Sequence, residues 1–145
     1  MTYWNTIKIE IETRKAEILL ISEKEMSFKP SSTQWSKREI LGHLIDSAKC
    51  NLKRFSEIRN SIYFIKPYSQ KELVIENDYQ NEHTSNLLFI WLKINTQIVA
   101  IIKEKTAFEL DTNIVLISGE RKNLGFLIND YILHLKHHLN QIIES

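Results

Sequence analysis

Cysteine, proline and glycine are all scarce in this chain. Cys50 is the only cysteine among 145 residues, which excludes an internal disulfide and predicts a reducing, cytoplasmic setting. Three Gly and two Pro leave few places for tight turns or helix breaks, so long helices are expected rather than a many-turned β fold. An excess of charge of one sign is also missing: 19 Lys and Arg against 18 Asp and Glu leave a net charge of +1. The basic residues are dispersed, and pairs such as Arg121–Lys122 do not build a patch, so neither a nucleic acid nor a membrane is an expected partner. No run approaches the roughly 18 consecutive apolar residues of a membrane span. The opening MTYWNTIKIEIETRK carries Lys and Glu where a secretory signal would need an apolar stretch. What is present is ordinary globular usage, 43% hydrophobic and 26% charged. The length fits a single domain over residues 1–145, large enough to need no metal merely to fold.

Hydrophobic spacing predicts four helices. The clearest start is Trp35-Ser36-Lys37-Arg38-Glu39-Ile40, where Ser36 caps the Glu39 N–H, Glu39 reaches back to Ser36, and Trp35 and Ile40 close a hydrophobic staple. From there Leu41, Leu44, Ile45, Ala48, Leu52 and Phe55 recur on one stripe, predicting a helix over about 36–60. Leu124, Leu127, Ile128, Tyr131, Leu135, Leu139 and Ile142 form an equally regular stripe, with Asn123 as its N-cap. A third runs through Leu87, Ile90, Trp91, Ile94, Ile98, Ile101 and Ile102. Near the start, Ile7, Ile9 and Ile11 alternate like a strand, but Trp4, Ile7, Ile11, Ile18 and Ile21 fit a helix over a longer span, and the longer fit prevails. The expected fold is all-α, a four-helix bundle. Its first connection, about 27–35, is short. The second, about 61–82, and the third, about 107–122, are long enough to be functional, and the second holds Tyr63, Phe64, Tyr68 and Tyr79.

Four of the five histidines fall on the second and fourth helices. His134 and His138 are four apart, so their imidazoles project to one side and can share an ion. His137 lies about 100° further round and points outward. The third candidate ligand is His43, off the main apolar stripe beside Ile40, Ser47 and Cys50, and is expected exposed or lining the mouth of a pocket. His83, just before the third helix, reads as an exposed linker residue.

The stretches 35–55, WSKREILGHLIDSAKCNLKRF, and 129–142, NDYILHLKHHLNQI, resemble the DinB-like (DinB/YfiT) superfamily, particularly its smaller single-domain members. The segments Tyr68–Val74 and Leu87–Asn95 fit as well. The resemblance implies a four-helix bundle holding a divalent metal ion, often zinc or nickel, with iron or manganese as alternatives. It also implies three histidine ligands, carried over as His43, His134 and His138.

Three imidazoles leave a coordination position open, which suits activation of water or of a substrate thiolate rather than a closed structural site. Asp46, one turn after His43, and Asp130, one turn before His134, can each accept the second N–H of an imidazole, or can be solvated acids, Asp46 pairing with Lys49. Ser47, Asn51 and Tyr131 are candidate pocket-lining residues. Position 135 is Leu rather than Glu, so the general base of an HExxH protease is missing and no catalytic residue is assigned. Cys50 has no visible activating base and reads as an unreactive thiol. The expected function is a metal-dependent enzyme, a hydrolase or thiol S-transferase acting on a small molecule, with a low-molecular-weight thiol among the candidate partners. The alternative is a non-catalytic bundle for protein–protein or self association; a homodimer is plausible for either.

Overall fold

Thr2 starts the first helix by accepting a hydrogen bond from the Asn5 N–H. The computed structural model describes residues 2–144. Helix α1 (Tyr3–Ile18) buries Ile7, Ile11 and Ile18 and leaves Ile9 45% exposed. The helical period therefore overrides the local alternation of Ile7, Ile9 and Ile11. It ends at Ile18, three residues before Ile21, and a short α2 (Glu23–Ser27) follows under a Ser22 cap. Helix α3 (Lys37–Glu57) opens on the expected capping box of Ser36 and Glu39.

Helix α5 (Thr84–Glu104) buries Leu87, Trp91, Ile94, Ile98 and Ile102. Among the described residues it alone would pass for a membrane span by length and composition, with a mean hydropathy of 1.4; in the fold it packs against both α1 and α3. Helix α7 (Leu124–Glu144) buries every residue of the predicted stripe, and Asn123 Oδ1 caps it by accepting from the Phe126 N–H at 2.9 Å. The four long helices form a closed ring in which α1 meets α5, α5 meets α3, α3 meets α7, and α7 returns to α1. Trp91, Phe55, Ile7, Leu41, Ile98 and Leu139 fill the middle, fully or almost fully buried.

Among the described residues the bundle also carries three strands that the periodicity does not announce. The connection between α3 and α5 holds β1 (Tyr63–Phe64), α4 (Gln70–Asn77) and a 3₁₀ turn (Tyr79–Asn81). The connection between α5 and α7 holds α6 (Ala107–Leu110), β2 (Asn113–Val115) and β3 (Arg121–Asn123). Strand β1 runs parallel to β2 with Tyr63 opposite Ile114, and β2 runs antiparallel to β3 with Ile114 opposite Lys122. The two long connections are thus stitched to each other, with Ile114 fully buried at the joint.

Candidate metal centre

The packing of α3 against α7 brings three imidazoles together. His43 comes from the second turn of α3, and His134 and His138 from successive turns of α7. One nitrogen from each ring lies within 4.8 Å of the other two, and His43 Nε2 stands 3.1 Å from His134 Nε2. Two nitrogens bound tetrahedrally at Zn–N distances of about 2.05 Å would stand about 3.4 Å apart, so the trio needs little adjustment to hold one ion. The rings meet edge to face, with centroids 4.5–5.0 Å apart.

Burial keeps these rings neutral. Removal from water pushes His43 down to about 3, helped by the proximity of His134 and His138. The same desolvation, with His138 and His137 nearby, brings His134 down to about 4. His138 is lowered by burial as well, against a hydrogen bond with Gln141 that raises it. Neutral imidazole is the form that offers a lone pair to a metal. His138 Nδ1 lies 2.8 Å from Gln141 Oε1, an acceptor, so Nδ1 carries the proton and Nε2 keeps its lone pair.

His43 is fully buried, which corrects the expectation of an exposed or mouth-lining residue. Its cover comes from outside its own helix: Trp35 lies over the ring at 5.1 Å between centroids, and the α7 imidazoles close the other side. Asp46 is buried too, and its Oδ1 accepts from Tyr79 Oη at 2.6 Å and Asn77 Nδ2 at 3.0 Å. Burial raises its carboxyl pKa, and the Tyr79 and Asn77 hydrogen bonds with nearby Lys49 offset that rise only in part. No hydrogen bond joins Asp46 to His43, and Asp46 Oδ2 and His43 Nδ1 are both buried without a partner. Asp130 is exposed on the surface of α7. His137 is exposed, and His83 is exposed as the N-cap of α5, with Nε2 3.0 Å from Glu23. Burial raises the Cys50 thiol pKa, in keeping with an unreactive cysteine.

Two cavities flank the cluster. One of about 400 Å³ runs beside His134, between apolar Leu116, Ile117 and Leu127 and the polar Ser47, Asn51, Tyr68, Asp130 and Tyr131. Asn51 Nδ2 donates to Ser47 O at 2.9 Å, and Arg54 pins the outer wall by donating to Lys66 O at 2.7 Å while lying over the Tyr68 ring. Tyr131 gives its hydroxyl to Asn95 Oδ1 at 2.6 Å, and burial lifts its pKa well above the usual range, so it is a wall rather than an acid. A wider groove of about 1120 Å³ opens beside His138, between apolar Phe28, Trp35 and Ile40 and the lysines Lys24, Lys37 and Lys71.

Gln141 and Tyr79 were not singled out as site residues from the sequence. Gln141 stands three residues after His138, the same spacing that drew attention to Asp46, and was open to the same argument. Tyr79 belongs to a turn 33 residues from Asp46, and only the folded connection reveals it.

Fold and site together define a class: a helical bundle that gathers three neutral imidazoles between two cavities. Among solved structures, the chain is similar to YfiT from Bacillus subtilis, a probable metal-dependent hydrolase with an unusual four-helix-bundle topology. The two share 18% identity and a TM-score of 0.85 over 98% of this chain and 82% of that one. It is also similar to a mycothiol-dependent maleylpyruvate isomerase, at 10% identity and a TM-score of 0.69 over 94% of this chain and 57% of that one. A histidine-to-alanine variant of that isomerase matches equally, with a TM-score of 0.70. No family model matches the sequence, and no curated protein matches it. The chain has the YfiT-type bundle, so the DinB/YfiT resemblance holds at the level of fold.

Proposed function

We propose that this protein is a metal-dependent enzyme acting on a small molecule, with His43, His134 and His138 as the ligands of one divalent ion, zinc or nickel. The observation that carries the reading is the convergence of three neutral imidazoles, from two helices, within 4.8 Å. A divalent ion held there supplies a Lewis acid that polarises a bound group or makes water or a thiol a stronger nucleophile.

The chain's own residues supply the rest. Trp35 covers His43 and keeps bulk water from that side of the centre. Ser47 and Asn51 offer polar atoms to a molecule in the cavity beside His134, while Tyr131 shapes its floor. Asp130, on the same cavity and one turn before His134, is the proposed proton acceptor. Two reactions suit this arrangement, hydrolysis and transfer to a low-molecular-weight thiol. The YfiT likeness favours the first and the isomerase likeness the second.

The test is metal content by mass spectrometry on untagged protein prepared without chelator, beside His43→Ala and His134→Ala. About one equivalent in the wild type and none in the variants is the expected outcome. A wild type that stays empty after incubation with Zn²⁺ or Ni²⁺ removes the foundation of the enzyme reading and favours a bundle that binds protein. With metal present, hydrolase and thiol-transferase substrates become the panel to screen.

A further inference from the structure

Two polar atoms at the edge of the imidazole trio are buried without a hydrogen-bond partner: His43 Nδ1 and Asp46 Oδ2. When His43 directs Nε2 toward its neighbours as a lone-pair donor, Nδ1 carries the proton and is a donor; the carboxylate oxygen is an acceptor. Three residues apart on one helix, they lie on the same face. A buried donor and a buried acceptor left unpaired are each costly, so the retention of both, one turn apart on α3, calls for an explanation.

The other half of the carboxylate is firmly held. Asp46 Oδ1 accepts from Tyr79 Oη at 2.6 Å and from Asn77 Nδ2 at 3.0 Å, and Asn77 Nδ2 also donates to Tyr79 Oη at 3.2 Å. Tyr79 reaches Asp46 only because its ring lies directly on the backbone of α3 at Gly42. A Cβ at position 42 would sit 2.1 Å from Tyr79 Cδ2 and 2.2 Å from Cγ. Gly42 immediately precedes His43, so one missing side chain lets an aromatic ring from a distant turn brace the helix at the proposed ligand. Tyr79 is itself almost fully buried.

We propose that Gly42, Tyr79 and Asp46 form a positioning relay for His43: Tyr79, seated on Gly42, fixes Asp46 through Oδ1, leaving Oδ2 to accept from His43 Nδ1 and hold Nε2 toward a divalent ion. The relay rests on the three-histidine reading above. Neither Gly42 nor Tyr79 touches the ion; both act through Asp46. A carboxylate accepting the second N–H fixes the tautomer and ring orientation and makes the imidazole a stronger ligand. Tethering one carboxylate oxygen removes part of the side chain's freedom beforehand, so less is lost when the ion binds and the pair is completed.

The test compares Tyr79→Phe, Asp46→Asn and the double variant. Tyr79→Phe keeps the ring on Gly42 and removes only the hydroxyl. Zinc affinity is read by competition with a chromophoric chelator, and the His43 tautomer by ¹⁵N NMR without added metal. Asp46→Asn is expected to weaken zinc binding about 10–100-fold and Tyr79→Phe about 10-fold, with the double variant no worse than Asp46→Asn, because Tyr79 works through Asp46. In the NMR experiment the wild type is expected to hold its proton on Nδ1, and Asp46→Asn to lose that preference. Wild-type zinc affinity in Tyr79→Phe, or losses that add in the double variant, would overturn the relay even if the variant melts earlier. If the wild type binds no zinc at all, the metal reading fails and the tautomer decides the relay alone: the same tautomer in all four proteins sinks it.

Discussion

Three imidazoles packed edge to face inside a bundle hold each other, and the surrounding apolar core holds them, in the neutral state. Unfolding returns each ring to water, where it binds a proton near pH 6.5. His43 and His134 bind theirs only near about 3 and about 4 in the folded protein. Between those values and 6.5 the unfolded chain holds more protons, so stability is complete above about 6.5 and falls as the pH drops toward 4 and then 3. Urea midpoints measured from pH 8 to pH 4 are expected to decline below 6.5 in the wild type. The decline should be visibly shallower in His43→Leu, which has one fewer depressed imidazole. An unchanged slope would mean His43 does not titrate as its burial demands. At this scale much of the cluster was readable from the chain. The spacing of His134 and His138 places both on one side of a helix, and His43 stands out as the third candidate, which the family resemblance turns into an expected ligand. The burial of His43 was not readable, because Trp35 and α7 cover it from outside its own helix. Nor was Tyr79, whose contact with Asp46 depends on where a connection folds rather than on any local pattern.

The elements differ in how much each depends on its first turn. Ser36 is fully buried, accepts from the Glu39 N–H at 3.1 Å, and donates to Gln80 Oε1. Glu39 in turn accepts from the Ser36 N–H at 3.0 Å and pairs with Lys29 at 2.5 Å. Ser36→Ala removes a cap and takes a donor from the half-buried Gln80 amide, so a loss of about 2 kcal/mol is expected. Thr106 makes the same kind of box with Glu109, but on an exposed helix of four residues; Thr106→Ala is expected to cost about 0.5 kcal/mol. Urea denaturation of the two variants checks the contrast, and equal losses would contradict it. The capping box of α3 and the Asn123 cap of α7 were both legible as short local motifs. The three strands were not, because segments of two or three residues are too short to show alternation and β1 finds β2 only across about 50 residues of chain.

At the scale of the whole molecule, His43 and His134 lie 91 residues apart in the chain and face each other across α3 and α7. An ion bound by both ties those helices together in the folded state alone, so it stabilises by mass action. At about 100 times its dissociation constant the gain is about 2.7 kcal/mol, which for a domain of this size raises the melting temperature by about 5–10 °C. Differential scanning fluorimetry with Zn²⁺ is expected to show that rise in the wild type and none in His134→Ala; a rise in both would place the ion elsewhere. The same separation orders events during synthesis on the ribosome. A nascent chain carrying α1 to α5 exposes His43 without either of its companions, and the pair on α7 emerges only after both long connections have been made. A single imidazole holds a divalent ion too weakly to keep it. Loading of the proposed ion would therefore wait for the bundle to close, and the ion acquired would be chosen by the metals around the finished fold rather than by those met along the way.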